Sequence, residues 1–139
     1  AIRAGIPLRV LAPGRDDGWL SDNDRSLVLM AGSAPNRILI PGDLEARGEG
    51  RLIRTGLPLR AEALVVPHHG SRGSSSAEFL DAVRPDWAVV SCGFGNSFGH
   101  PHPEAVARIR ERRAELLTTA SNGWIHFRAE SRGWRVRSC

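Results

Sequence analysis

With 139 residues, of which 41% are apolar, the chain has the size of one hydrophobic core, and two full domains are not expected. Its apolar runs fall far short of the roughly 20 residues of a membrane-spanning helix. It begins without Met and lacks a signal-peptide pattern, so we expect a soluble piece of a longer protein. All 19 basic residues are arginine, and the formal net charge of +4 favours anionic partners only weakly.

Short runs rich in Leu, Ile and Val, bounded by Gly, Pro, Asn and Asp, predict seven strands along the chain. The turn-forming segment Gly32-Ser33-Ala34-Pro35-Asn36 joins the second and third strands and predicts a hairpin. The predicted strands cover residues 8–11, 26–31, 37–41, 63–66, 87–91, 124–127 and 134–136.

Between the later strands the spacing of apolar residues becomes helical. A hydroxyl of Ser75-Ser76-Ala77-Glu78 can bond the amide three residues on while Glu78 reaches back, which predicts a helix over residues 76–83. A further helix is predicted to begin at Pro103, with Val106, Ile109 and Leu116 on its buried side. The alternation of strands and helices indicates an α/β fold in which helices pack on sheets.

The residues able to bind metal or transfer protons concentrate in three loops that follow predicted strands. Asp43 follows the third strand, although taken alone it is more typical of a helix N-cap, and Glu45 of a first-turn charge. His68 and His69 follow the fourth strand, and two adjacent imidazoles there indicate function rather than structure. Because side chains alternate along a strand, only one of the two rings is expected to face a metal.

The third loop, residues 91–104, is rich in glycine, which suits a chain that runs close to a ligand. Asn96 and His100 are the polar groups that it can aim inward, although His100 between Gly and Pro is also typical of a turn. His102 is interpreted as the cap of the helix that begins at Pro103.

The C-terminal part of the chain is basic. From Ala107 onward there are 8 arginines and 3 acidic residues. A solvated, arginine-rich surface is the preferred interpretation of the run Arg108, Arg110, Arg112 and Arg113, whereas a basic patch on one face would attract a phosphate backbone. Cys92 and Cys139 do not have the spacing of a metal site.

Several sequence elements occur together, and in order and spacing they resemble the C-terminal hydrolase domain of the ComEC family of DNA-internalisation competence proteins. The resemblance covers nearly the whole chain. The elements are Asn23-Asp24-Arg25-Ser26-Leu27-Val28-Leu29, Gly42-Asp43-Leu44-Glu45, Pro67-His68-His69-Gly70-Ser71, Gly95-Asn96 with Gly99-His100-Pro101, and Thr119 with Asn122-Gly123.

The resemblance implies a metallo-β-lactamase-type αβ/βα sandwich, of which residues 1–139 would form the C-terminal portion only. One or two zinc or manganese ions would lie at the strand tips. Asp43 would bridge the metals and His69 would be a ligand, with His68 beside it as a ligand or a substrate-polarising catalytic group. Asn23, Asn96 and His100 would contact phosphate or support the ligands.

The family also implies partners and a location. The parent would be a DNA-uptake protein of the bacterial inner membrane that degrades the strand of DNA excluded from its channel, with this domain on the periplasmic or extracellular side. Its partners would be DNA, the transmembrane channel portion and the N-terminal half of the hydrolase domain, which supplies most ligands in the family. The fragment alone is therefore expected to be inactive.

Two other functions remain open at this stage. Ala12 and Ala120 stand where the family commonly has His and Asp, which motivates a metal-free DNA-binding or channel-associated module with the same fold. Closely similar His-His-Gly motifs also serve small phosphodiesterases, such as choline-phosphate esterases.

Overall fold

The structure is a computed structural model that describes residues 5–139. Its eight strands form one six-stranded sheet, in the order β1-β2-β3-β4-β5-β6, and one two-stranded sheet of β7 and β8. The strands are β1 (Leu8–Ala12), β2 (Val28–Ala31), β3 (Ile38–Ile40), β4 (Ala63–Val65), β5 (Trp87–Val90), β6 (Glu115–Thr118), β7 (Ile125–Glu130) and β8 (Gly133–Ser138).

Strands β1, β2 and β3 pair antiparallel, whereas β3, β4, β5 and β6 run parallel. The predicted hairpin between β2 and β3 is confirmed. Its turn requires glycine at position 32, where φ is +87° and an added Cβ would lie 2.1 Å from the Asn36 carbonyl oxygen. The fold is mixed α/β, as predicted.

Four helices accompany the strands: α1 (Ala46–Arg54), α2 (Ala77–Val83), α3 (Pro103–Glu111) and α4 (Thr119–Asn122). The predicted start of α3 at Pro103 is confirmed, and the His102 ring accepts a hydrogen bond from the Glu104 amide. The extension of this helix to Leu116 is wrong, because Leu116 lies in β6. Leu116 lies on the face of the sheet that the helices cover. Its distance from Ile109 along the chain equals a helical spacing, which explains the wrong prediction.

The predicted α2 is also confirmed, but its N-terminus is capped differently. The Ser76 hydroxyl accepts from the Phe79 amide as expected. The amides of Ser75 and Ser76, however, donate to the buried carboxylate of Glu49 on α1, at 2.6 and 2.8 Å, rather than to Glu78. The carboxylate that completes the cap therefore comes from a neighbouring helix.

One face of the large sheet forms the hydrophobic core. Met30, Leu39, Leu64 and Ala88 occupy one row across the paired strands and are almost fully buried. They form a single cluster with apolar residues of the three longer helices, namely Leu52, Phe79, Leu80, Val83 and Ile109.

The opposite face of the large sheet is equally apolar but only half-buried. Its residues include Leu29, Ile40, Val65, Val89 and Leu117. The β7–β8 hairpin covers one end of this face, where the Phe127 ring packs edge-on against Trp87 and Trp134. Parallel strands are usually buried on both faces, so this second face has the character of an interior surface.

None of the helices in residues 5–139 has the length and apolar composition needed to cross a membrane.

Candidate functional site

Three loops meet at one edge of the large sheet. They follow β3, β4 and β5, which are adjacent and parallel, so their carboxyl ends lie side by side. The three loops carry Asp43, the pair His68 and His69, and the segment from Ser91 to His100. The three segments predicted to carry the functional residues therefore come together at one edge of the sheet.

The backbone of Asp43 is fixed by the start of the neighbouring strand. Gly42 has φ +62°, and an added Cβ would lie 2.9 Å from the Cβ of Ser26. The Asp43 amide donates to the Ser26 hydroxyl at 3.0 Å. Asp43 is not a helix cap, because Glu45 holds the N-cap position of α1. Its half-exposed carboxylate thus projects from a tight, braced turn.

His68 and His69 lie in a left-handed turn rather than in a strand. Their φ values are +48° and +53°, and Gly70 follows at +78°. The expected alternation of the two side chains along a strand therefore does not apply. Two consecutive non-glycine residues in this region cost roughly 1–2 kcal/mol each, and such strain concentrates at functional sites.

The turn orients the His69 ring so that each nitrogen has a distinct environment. Nδ1 lies 2.7 Å from the Ser91 carbonyl oxygen, which only accepts, so the proton belongs on Nδ1. Nε2 then carries a lone pair and lies 3.8 Å from Oδ1 of Asp43. Two ligands bound at about 2.1 Å to a tetrahedral zinc lie about 3.4 Å apart, and the 3.8 Å between Asp43 and His69 is close to this separation.

His68 is oriented by Glu45, a residue to which the sequence assigned only a helix-terminal charge. The Nδ1 atom of His68 lies 3.1 Å from Oε1 of Glu45. This contact leaves Nε2 of His68 as the available nitrogen. A carboxylate two residues after Asp43 was the only sequence signal for this role, and it is also typical of an ordinary helix start.

The third loop brings His100 to the same site. Its ring lies 6.0 Å from that of His68 between centroids and stacks on the exposed Phe98. Burial, followed by the neighbouring His68, His69 and His102, lowers the pKa of His100. His100 is thus held in its neutral form beside two other imidazoles.

Asn96 holds the third loop in shape. Its side-chain amide donates to the carbonyl oxygens of Gly93 and His100, and its oxygen accepts from the His100 amide at 3.0 Å. These bonds engage Asn96 inside its own loop and position His100.

Asn23 lies in a single 3-10 turn, Asn23–Arg25, and is half-buried. Its neighbours make the contacts with the site: Asp24 accepts from the amides of Glu45 and Gly48 at the start of α1, and Ser26 binds the Asp43 amide. Within residues 5–139 the Asn23 side chain makes no hydrogen bond to the three loops.

An open cleft of about 410 Å³ adjoins the histidines. Thr119 closes its far wall, with a hydroxyl that donates to the Cys92 carbonyl at 2.8 Å and accepts from the Cys92 amide at 2.9 Å. The cleft is lined by His69, Ser91, Cys92, Gly93, Asn96, Phe98, His100 and Thr119. It offers room for a substrate directly beside the nitrogen-rich edge.

The described part of the chain supplies some metal donors but not a whole ligand set. In residues 5–139 no three His, Cys, Asp or Glu side chains lie close enough together to hold a metal ion. Catalytic zinc sites use three protein ligands. Asp43 and His69 therefore fit as two members of a metal site that needs a further donor.

Comparison with known proteins gives the chain a family context. It is 36% identical over 124 residues to competence protein ComA of Neisseria gonorrhoeae, an alignment that covers 88% of this chain and 18% of the relative. It is 33% identical over 127 residues to ComE operon protein 3 of Bacillus subtilis, covering 91% of this chain and 16% of the relative. By name, these two relatives are a competence protein and a ComE operon protein.

A further relative is recombination protein 2 of Haemophilus influenzae, with 33% identity over 122 residues, covering 87% of this chain and 15% of the relative. The chain thus spans under a fifth of the length of each of these three relatives. No family model matches the chain.

Proposed function

We propose that this chain is part of the hydrolase domain of a ComEC-like DNA-uptake protein and acts in natural transformation. The names of two of its relatives, a competence protein and a ComE operon protein, support the role in transformation. The reaction proposed is metal-dependent cleavage of a phosphodiester in the DNA strand that is not transported. The parent would lie in the inner membrane, with this domain on the periplasmic or extracellular side.

The observation that carries the proposal is the pairing of Asp43 with His69. Their side chains lie 3.8 Å apart although 25 intervening residues separate them along the chain, and the Ser91 carbonyl directs the unprotonated nitrogen of His69 toward the carboxylate. These two residues, with His68 beside them, would hold zinc or manganese. When bound, such an ion lowers the pKa of water to about 7 and stabilises charge on phosphoryl oxygens.

The other residues of the site have roles that follow from their contacts. Glu45 orients His68, whose one free nitrogen would serve either as a metal ligand or as a substrate-polarising group. His100, kept neutral and bordering the cleft, can donate a hydrogen bond to a phosphate oxygen. Asn96 fixes the loop on which His100 stands.

The half-buried second face of the large sheet supports a sandwich architecture. Its row of Leu, Ile and Val side chains is suited to packing against a second sheet. We propose that the N-terminal half of the hydrolase domain covers this face, in a metallo-β-lactamase-type αβ/βα sandwich, and contributes the missing ligands.

The test is a manganese-dependent nuclease assay on the protein that contains this chain together with the segment before it. Asp43→Ala and His69→Ala should each lower cleavage by more than the 10- to 100-fold typical of losing a supporting residue. Asp16→Ala, at an exposed loop, serves as the control. Unchanged cleavage in both site variants would refute the assignment.

A metal-free DNA-binding module is the second candidate, favoured by the incomplete donor set of residues 5–139. It predicts salt-sensitive binding of single strands without cleavage. Metal analysis of the same longer protein separates the two candidates, since near-stoichiometric zinc or manganese excludes the second. A small phosphodiester such as a choline-phosphate ester is the alternative substrate, and it would be cleaved in preference to DNA.

A further inference from the structure

The outward face of the β7–β8 hairpin carries a row of three arginines and one histidine. Alternate residues of the two strands face the sheet, among them Phe127, Trp134 and Val136, which are half-buried. The intervening positions are exposed apart from the half-buried pair Glu130 and Gly133. They hold His126 opposite Arg137 and Arg128 opposite Arg135, and we call these four residues the arginine face.

The arginine face is poorly neutralised. Arg135 pairs with Glu130 at 2.8 Å. No carboxylate of residues 5–139 lies within 4.0 Å of the side-chain nitrogens of Arg128 or Arg137. Like charges directly opposite each other on a strand pair are destabilising, and Arg128 lies directly opposite Arg135.

The placement of these arginines is more informative than their number. Because the chain contains no Lys, every basic position is Arg, and a high arginine count alone indicates nothing. The four residues of the arginine face, however, line a common depression of about 50 Å³. Three arginines that line one small concavity are suited to binding an anion.

We propose that the arginine face binds the backbone phosphates of a single-stranded nucleic acid. This inference rests on the proposed function in handling DNA and adds to it a binding surface outside the strand-end site. Residues on one face of a strand repeat every 6.8 Å or so, which is about twice the axial rise per nucleotide of a stacked strand. A polymer of regularly spaced phosphates can therefore follow the row.

The surroundings of the arginine face favour nucleic acid over a lipid surface. A membrane-binding face needs apolar side chains among its cations, whereas the outward positions of β7 and β8 are charged or polar apart from the half-buried Gly133. Trp124, just before β7, is 57% exposed. An exposed aromatic ring next to cations is the combination on which single-stranded bases stack.

The test compares two double variants that remove the same charge. Arg128→Ser with Arg137→Ser alters the arginine face, whereas Arg54→Ser with Arg110→Ser removes exposed arginines of α1 and α3. Binding of a fluorescent oligothymidylate is measured by anisotropy in EDTA over a range of salt concentrations. The first pair should weaken binding about tenfold and reduce the slope of log K against log salt by about 1.4, since each phosphate contact contributes about 0.7.

The control pair should leave the slope unchanged, and an equal loss in both pairs would overturn the proposal. The proposal would also be overturned if the first pair of changes abolished binding to anionic phospholipid vesicles and left oligonucleotide binding unchanged. Arg128→Lys with Arg137→Lys should retain the slope, and thermal unfolding verifies that each variant is folded. Asp43→Ala should bind the oligonucleotide normally, so failure of the nuclease proposal and failure of this one are distinguishable.

Discussion

The ring of His69 illustrates how single contacts determine what a residue can do. A backbone carbonyl occupies one nitrogen, which leaves the other available for Asp43. In the same way, Glu45 occupies one nitrogen of His68. Neither histidine could be assigned a free nitrogen from the sequence, because the acceptors lie 22 and 23 residues away along the chain.

Glu62 provides a pH-dependent prediction at the residue scale. Burial opposes its ionisation, but hydrogen bonds from the Arg37 side chain and backbone outweigh burial and lower the pKa of Glu62. Two guanidinium nitrogens contact the carboxylate, at 2.6 and 3.2 Å. The pair joins the starts of β3 and β4.

A depressed carboxyl pKa stabilises the folded state above the unfolded value of about 4.3, and this stabilisation is lost as pH falls through the folded pKa. We therefore expect Glu62→Gln to lower the free energy of unfolding by about 1–3 kcal/mol at pH 7. The difference from the unaltered protein should shrink below about pH 4.3 in urea titrations. The exposed Glu78→Gln is the control, and a difference independent of pH would contradict this account.

At the scale of elements, helix packing depends on carboxylates supplied from a distance. The Asp24 carboxylate accepts from the amides of Glu45 and Gly48, and so caps α1 from outside the helix. Glu49 of α1 in turn accepts from the two amides that begin α2. The starts of α1 and α2 thus each depend on a carboxylate from the preceding element.

Removing the Glu49 carboxylate should expose this dependence. In Glu49→Ala two buried amides lose their acceptor, and an unpaired buried donor costs about 1–3 kcal/mol. We expect a loss of about 2–4 kcal/mol in the free energy of unfolding, measured with urea. Glu111→Ala on the exposed side of α3 should change it by under about 0.5 kcal/mol.

The contact between the second and third loops gives a prediction about the site itself. Gly70 has φ +78°, and an added Cβ would lie 2.7 Å from the Cβ of Pro101. Gly95 has φ +61°, but nothing lies within 4 Å of its added Cβ. Both Gly→Ala changes carry the left-handed cost of roughly 1–2 kcal/mol, and only Gly70→Ala adds a clash.

Urea unfolding should therefore show a larger loss for Gly70→Ala than for Gly95→Ala, by about 1 kcal/mol or more. Equal losses would mean that the third loop moves away freely and does not rest on the histidine turn.

On the scale of the whole molecule, the two faces of the large sheet differ in burial although both are apolar. Leu39 is fully buried under the helices, whereas the adjacent Ile40 is half-buried on the other face. In the isolated chain we expect Leu39→Ala to cost about 2–5 kcal/mol and Ile40→Ala less than half of that. In a protein that covers the second face the two costs should become similar, as measured by urea unfolding of both forms.

What the sequence determined by itself was local. Apolar runs and turn residues located strands β1 to β5, β7 and β8 and the hairpin, and the Ser76 and Pro103 signals located α2 and α3, because strands, turns and caps depend on neighbouring residues. The motifs pointed to residues 43, 68, 69 and 100 as a group, and the chain is similar to a competence protein and a ComE operon protein.

Only the tertiary structure decided the partners of these residues. It placed Leu116 in a strand and showed that Glu49 and Asp24 cap the starts of neighbouring helices. It also showed that Glu45 and the Ser91 carbonyl orient the two histidines. It also gathered the last arginines on one face of a hairpin. Each of these contacts joins segments distant in sequence, so their pairing follows from the packing of the sheet rather than from any local pattern.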